Sequence, residues 1–162
     1  NMPTLPLGLH LVAEATRRAG HEVRILDLMG EADPRAATRS AVLAYSPGTV
    51  GVSVRNIDDQ EMDGPAFLLE GVREVVAGVR AASSAPVVLG GAGYSIFPEA
   101  ALEYLGADYG VAGEGEFVFP ALLEKLERGE DPSLLKGVHV RGLRPPHGVT
   151  LDERTPRRKR DP

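Results

Sequence analysis

The chain has 162 residues, 43% of them hydrophobic and 25% charged, with a formal charge of -5 and neither cysteine nor tryptophan. That length suits a single domain, and the mild acidic balance offers no footing for nucleic acid. Without cysteine there is no disulfide, thiolate zinc site or iron–sulfur cluster in these residues. No apolar run reaches the roughly 18 residues of a membrane span, and no basic-then-apolar leader is present, so a cytoplasmic location is expected.

In chain order, "LPLGLHLVAEATRRAG" predicts an amphipathic helix with Leu7, Leu11, Val12 and Ala15 on one stripe, ending at Gly20. "HEVRILDL" alternates Val23 and Ile25 against Glu22 and Arg24, which predicts a strand near a sheet edge. "DPRAATRSAVLAY" reads as a helix with Asp33 as its cap and Pro34 at its first position. "TVGVSV" has the β-branched, apolar character of a strand buried on both faces. "GPAFLLEGVREVVAGVRAAS" predicts the longest helix, with Gly71 and Gly78 marking a close packing face. A strand "APVVLGG", a helix "FPEAALEYLG" and a strand "ADYGVAG" follow. The helix "EFVFPALLEKLERGE", with Pro120 in its first turn, and a last strand "GVHVRG" complete the pattern.

Short apolar strands alternating with helices predict an α/β fold, a doubly wound parallel sheet covered on both faces. Such domains open on a strand, whereas "NMPTLP" leads straight into a helix, so the first strand is expected to be missing from these residues. Residues 1–142 are read as the domain. Residues 143–162, with five basic residues from Arg154 to Arg160, are read as a linker or tail.

In open α/β sheets ligands sit beyond the carboxyl ends of the strands. The loops there are "SVRNIDDQEMDGP", "GGAGYSIFP" and "GEGEF", each leading into a helix whose first N–H groups favour anionic or carbonyl-rich ligands. Glycines at 90, 91, 93, 113 and 115 remove Cβ atoms from that rim, where a large ligand can lie against bare backbone. A single glycine-rich loop is more often a turn than a cradle, but three on one edge shift the balance. None is a phosphate-binding P-loop or a dinucleotide fingerprint. Asp58, Asp59, Glu61 and Asp63 form an acidic run that reads as solvated rather than as a magnesium site. The four histidines are scattered, with no pair at helical spacing.

The stretches "PLGLHLVAEATRRAGHEVRILDL", "TVGVSVRNID", "PVVLGGAGYSIFPEAALEYLGADYGVAGEGEFVFPALLEKLERGE" and "LKGVHVRG" together resemble the cobalamin-binding domain of cobalamin-dependent radical S-adenosylmethionine enzymes, in order from about residue 6 to residue 142. The resemblance implies a flavodoxin-like fold. It also implies base-off cobalamin, its nucleotide tail running into the sheet edge and its corrin across the strand ends.

By position it assigns Ser53, with Val54 and Arg55 beside it, and Gly90, Gly91 and Gly93 to the tail. Gly113, Glu114 and Gly115 form the last lip, and Leu7 and Gly8 line the corrin side. The D-x-H-x-x-G motif that supplies a cobalt-ligating histidine in some cobalamin proteins fails at all four histidines: His10 has Gly8 in place of the aspartate. No protein metal ligand is therefore expected, and His10 is the one candidate against this.

In that family the domain precedes a radical S-adenosylmethionine domain with a [4Fe–4S] cluster. The chain is accordingly expected to bind cobalamin without catalysing by itself, holding methylcobalamin or its cobalt(I) form for methyl transfer by the adjoining domain. A flavodoxin-like nucleotide or flavin module, and a structural or regulatory domain without cofactor, are the alternatives.

Overall fold

The structure is a computed structural model and describes residues 7–54 and 66–143, the side chains of 66–68 excepted. The acidic run, Arg55 and the expected tail from Arg144 onward lie outside the described residues.

Helix starts follow the local chemistry. In α2 (Pro34–Tyr45) the Asp33 carboxylate accepts the Ala36 N–H at 2.9 Å and Pro34 occupies the first turn, as expected. Helix α1 covers Leu7–Arg18 and gives way to Gly20 at φ +100. Helix α3 (Ala66–Arg80), helix α4 (Pro98–Leu105) and helix α5 (Gly115–Glu127) complete the set, with a 3₁₀ turn at Tyr94–Ile96. Pro120 lies inside α5, beyond its first turn, where it cannot donate to the Glu116 carbonyl.

The strands β1 (Val50–Ser53), β2 (Val87–Gly90), β3 (Tyr109–Val111) and β4 (Val138–Val140) form one sheet in the order β1-β2-β3-β4. The first three are parallel, as the alternating pattern predicts. β4 runs antiparallel to β3, pairing Gly110 with His139. The connection from β3 includes α5, long enough for a parallel return, but residues 128–137 follow that helix without regular structure and β4 then enters the sheet in the opposite direction.

Three expectations from the sequence differ from the structure. Residues 21–28 form no strand: burial alternates from His21 to Ile25 as in a strand, but no neighbouring chain pairs with this backbone among the described residues. β1 is not buried on both faces, since Gly51 is exposed and its neighbours are half-buried. Of the two glycines in α3, only Gly78 marks a close contact. A Cβ there would lie 2.6 Å from the Arg35 carbonyl oxygen of α2, whereas one at Gly71 would meet nothing within 4 Å.

Side chains from the two faces of the sheet enter separate cores. On one face Val87 and Leu89 of β2 pack with Val42 of α2, Val76 and Val79 of α3, and Leu102 and Leu105 of α4. On the other, Val88 and Val111 pack with Leu122 of α5. α1 lies on α5 and runs the same way: Val12 is beside Gly115 at the start of α5, and His21 just past α1 is 3.2 Å from Glu127 at its end. The first turns of α1 therefore project past the start of α5, which leaves Leu7 69% and Leu11 49% exposed instead of on a buried stripe.

At the amino ends of the strands Asp108 ties the sheet together. One carboxylate oxygen accepts from Arg80 at 2.6 Å and from the Val87 N–H at 2.8 Å, and Arg141 lies 3.7 Å from the other. A shallow cavity lined by Asp108, Tyr109, Val140 and Arg141 opens there, but these polar groups are already engaged with one another and with the backbone.

Candidate functional site

Side chains alternate along a strand, so each strand divides its residues between the two cores. In β1, Val50 and Val52 pack into the α3 side together with the following Val54, which leaves Gly51 and Ser53 toward α5. In β2, Val87 and Leu89 face α3 while Val88 and Gly90 face α5. The α5 face of the sheet is therefore nearly bare at the carboxyl ends of β1 and β2. Gly51, Ser53 and Gly90 line it, and Phe119 of α5 covers its inner end. A Cβ on Gly51 would lie 3.3 Å from Phe119 Cζ.

The glycines of the rim divide into two kinds. Gly91, at φ +95, is required by the protein itself: a Cβ there would lie 2.6 Å from the Val54 carbonyl oxygen and 3.1 Å from Ser53 Oγ. Gly93 is buried and donates its N–H to Val54 at 2.9 Å. Gly113 has φ +92 and open space around it, a turn requirement. At Gly115 a Cβ would lie 3.0 Å from Val12 Cγ2, so this glycine lets α1 approach α5. Gly90 differs from these, because a Cβ there would meet only the Val111 carbonyl oxygen at an ordinary 3.7 Å, with no positive φ. Among the described residues, no neighbour accounts for its missing side chain.

Three loops converge through hydrogen bonds that sequence reading missed. The Val54 N–H donates to Gly90 at 2.8 Å, joining the loops after β1 and β2. The Ser95 hydroxyl donates to the Gly91 carbonyl at 3.1 Å and accepts from the Gly113 N–H at 3.2 Å, which joins the loops after β2 and β3. The only local signal for Ser95 is its place four residues after Gly91, the i, i+4 spacing of a single helical turn. Glu114 precedes α5 with an exposed side chain that makes no capping bond, while its carbonyl accepts from Phe117 and Val118. Leu7 and Gly8 stand on the projecting first turn of α1, both exposed.

Tyr94 anchors the loop after β2 and also escaped the sequence reading. It is fully buried, its ring fills the place of a Gly110 side chain, and it meets His139 edge-on at 6.2 Å between ring centres. Its hydroxyl has no hydrogen-bond partner among the described residues. Burial pushes its pKa well above the usual tyrosine range, with the Glu99 carboxylate adding to the rise. His10 is exposed on α1, and no group of His, Asp and Glu able to hold a metal ion occurs among the described residues.

A glycine-lined rim at the carboxyl ends of parallel strands is where the sequence resemblance places a large cofactor, and a family model for the B12 binding domain matches residues 2–123. The chain belongs to the B12-binding domain family. Among curated relatives of this B12-binding domain are tryptophan 2-C-methyltransferase of Streptomyces laurentii and hopanoid C-3 methylase of Methylococcus capsulatus. The first is 34% identical over 152 residues, covering 91% of this chain and 25% of that protein. The second is 33% identical over 162 residues, covering 94% and 29%. The chain thus spans about a quarter of the length of the relatives it matches.

A solved structure of TsrM, a radical S-adenosylmethionine methyltransferase from Kitasatospora setae, with cobalamin and a [4Fe–4S] cluster bound, superimposes on the domain. The TM-score is 0.76 and the identity 34%, over 84% of this chain and 24% of TsrM. TsrM with tryptophan and an S-adenosylmethionine analogue matches equally, at a TM-score of 0.75 and 34% identity over 84% of this chain and 25% of that one. These likenesses bear out the mostly parallel α/β sheet of flavodoxin-like type. The residues present fit the cofactor of the family: Gly90 leaves a position that a Cβ would fill, and Gly51 and Ser53 continue the bare surface beside it.

Proposed function

We propose that this domain holds base-off cobalamin, with its nucleotide tail along the α5 face of β1 and β2 and its corrin over the rim, for a radical S-adenosylmethionine domain of a longer enzyme. The observation that carries the reading is Gly90, whose side chain is absent where the described residues leave room for one, in line with Gly51 and Ser53. Ser53 offers a hydroxyl to the tail, with Val54 and Arg55 following it. Gly91 and Gly93 hold the adjoining loops together, Gly113, Glu114 and Gly115 form the far lip, and Leu7 and Gly8 give the corrin an apolar side. When bound, cobalamin supplies the cobalt chemistry of methyl transfer, and the protein's part is to position it and exclude water. The longer enzyme would also require S-adenosylmethionine and a [4Fe–4S] cluster, and its substrate is set by residues beyond this domain.

Mixing the chain with hydroxocobalamin and separating it by gel filtration should leave a coloured, one-to-one complex. His10→Ala should not alter the absorption spectrum of that complex. A chain that stays colourless but retains a flavin or a nucleotide would overturn the reading, and a spectral change in His10→Ala would make that histidine a cobalt ligand.

A further inference from the structure

Phe119 lies at the inner end of the bare surface, its ring edge against strand backbone. A Cβ on Gly51 would be 3.3 Å from Cζ and 3.6 Å from Cε2. The ring also packs on the cluster of Val88, Val111 and Leu122, yet it remains only half-buried. Strand backbone at Gly51 and the aliphatic core thus account for part of the ring, and the rest is left exposed. A flat apolar surface left open next to glycine suits another flat apolar ring better than a sugar or a phosphate, because aromatic faces and edges gain from offset or edge-on contact. Among the described residues that line this face, no side chain carries a charge and the Ser53 hydroxyl is the one polar group, since Gly51 and Gly90 contribute none.

We propose that Phe119 is the specificity-determining residue for the tail, selecting cobalamins that carry an aromatic base, with Gly51 keeping the ring close to the strand. This rests on the cobalamin reading above. Sequence pattern gives little warning of it, because "EFVFPALL" places Phe119 among ordinary core positions of α5.

The test compares hydroxocobalamin with cobinamide, which has the same corrin and no nucleotide base. Phe119→Leu keeps an apolar side chain and should weaken cobalamin binding by about tenfold, the size of one lost base–aromatic contact, while cobinamide binding stays within about twofold. Phe119→Met, a second apolar side chain without a ring, should reproduce that selective loss and decides the matter if Phe119→Leu does not fold. Equal losses for both ligands, or unchanged cobalamin binding, would overturn the role of Phe119 and leave the cofactor assignment standing. A parent chain that binds neither ligand would overturn the cofactor assignment itself.

Discussion

Gly90 and Gly91 are adjacent and chemically identical, yet the structure gives them different reasons to exist. At Gly91 the Val54 carbonyl 2.6 Å from a built Cβ, together with φ +95, makes any side chain costly before a ligand is considered. Gly91→Ala should therefore destabilise the ligand-free protein by about 1–3 kcal/mol, seen as a lower midpoint in urea. Gly90→Ala should leave that midpoint within about 0.5 kcal/mol of the parent. It should nevertheless weaken cobalamin binding about tenfold, about 1.4 kcal/mol. A Gly90→Ala chain that binds as the parent does would remove the cradle. Tyr94 carries a different prediction. Its buried hydroxyl lacks a partner among the described residues, so Tyr94→Phe sheds a desolvated polar group and should gain about 1 kcal/mol at neutral pH. With its folded pKa raised, the protonated form is retained longer in the folded state than in the unfolded one. Its contribution is intact below the unfolded value of about 10 and is lost as pH rises beyond it. Urea midpoints measured from pH 8 to 11 should fall more steeply in the parent than in Tyr94→Phe. Parallel curves would show that Tyr94 does not titrate with unfolding.

At the scale of elements, what was legible in the sequence was whatever depends on a residue and its near neighbours. The Asp33 cap, the stop at Gly20 and the apolar run "VVL" of β2 are local facts, and the structure reproduces them. Pairing is not local. "HEVRIL" has the alternation of a strand and adopts alternating burial, but a strand also needs a neighbour for its backbone, and none is found among the described residues. "TVGVSV" is apolar enough to be buried twice over, yet Gly51 gives it no side chain with which to fill its second face. Of the candidate site, the glycines of the loops after β2 and β3 were legible as a rim at one edge, while the loop after β1 lies outside the described residues beyond Val54. What was not legible was the division of labour among the glycines. It depends on Val54, Val12 and the 2.6 to 3.7 Å distances set by tertiary packing. Ser95 and Phe119 stayed hidden for the same reason, since each acts across elements far apart in sequence.

Across the whole molecule, rigidity and openness lie at opposite ends of the sheet. The amino ends are tied by Asp108 to Arg80, to Arg141 and to the first residue of β2. Among the described residues the carboxyl ends are tied from loop to loop, through Val54, Ser95 and the Ala112–Gly137 bond, and carry the bare α5 face between them. A base tied in this way below a glycine-lined rim suits the holding of a large ligand. In the proposed arrangement this bare face takes the nucleotide tail, which must leave cobalt to reach it. The visible absorption spectrum of hydroxocobalamin bound to the parent chain at neutral pH tests this most directly: a base-off spectrum is expected, and a bound cobalamin that keeps its base on cobalt would contradict it.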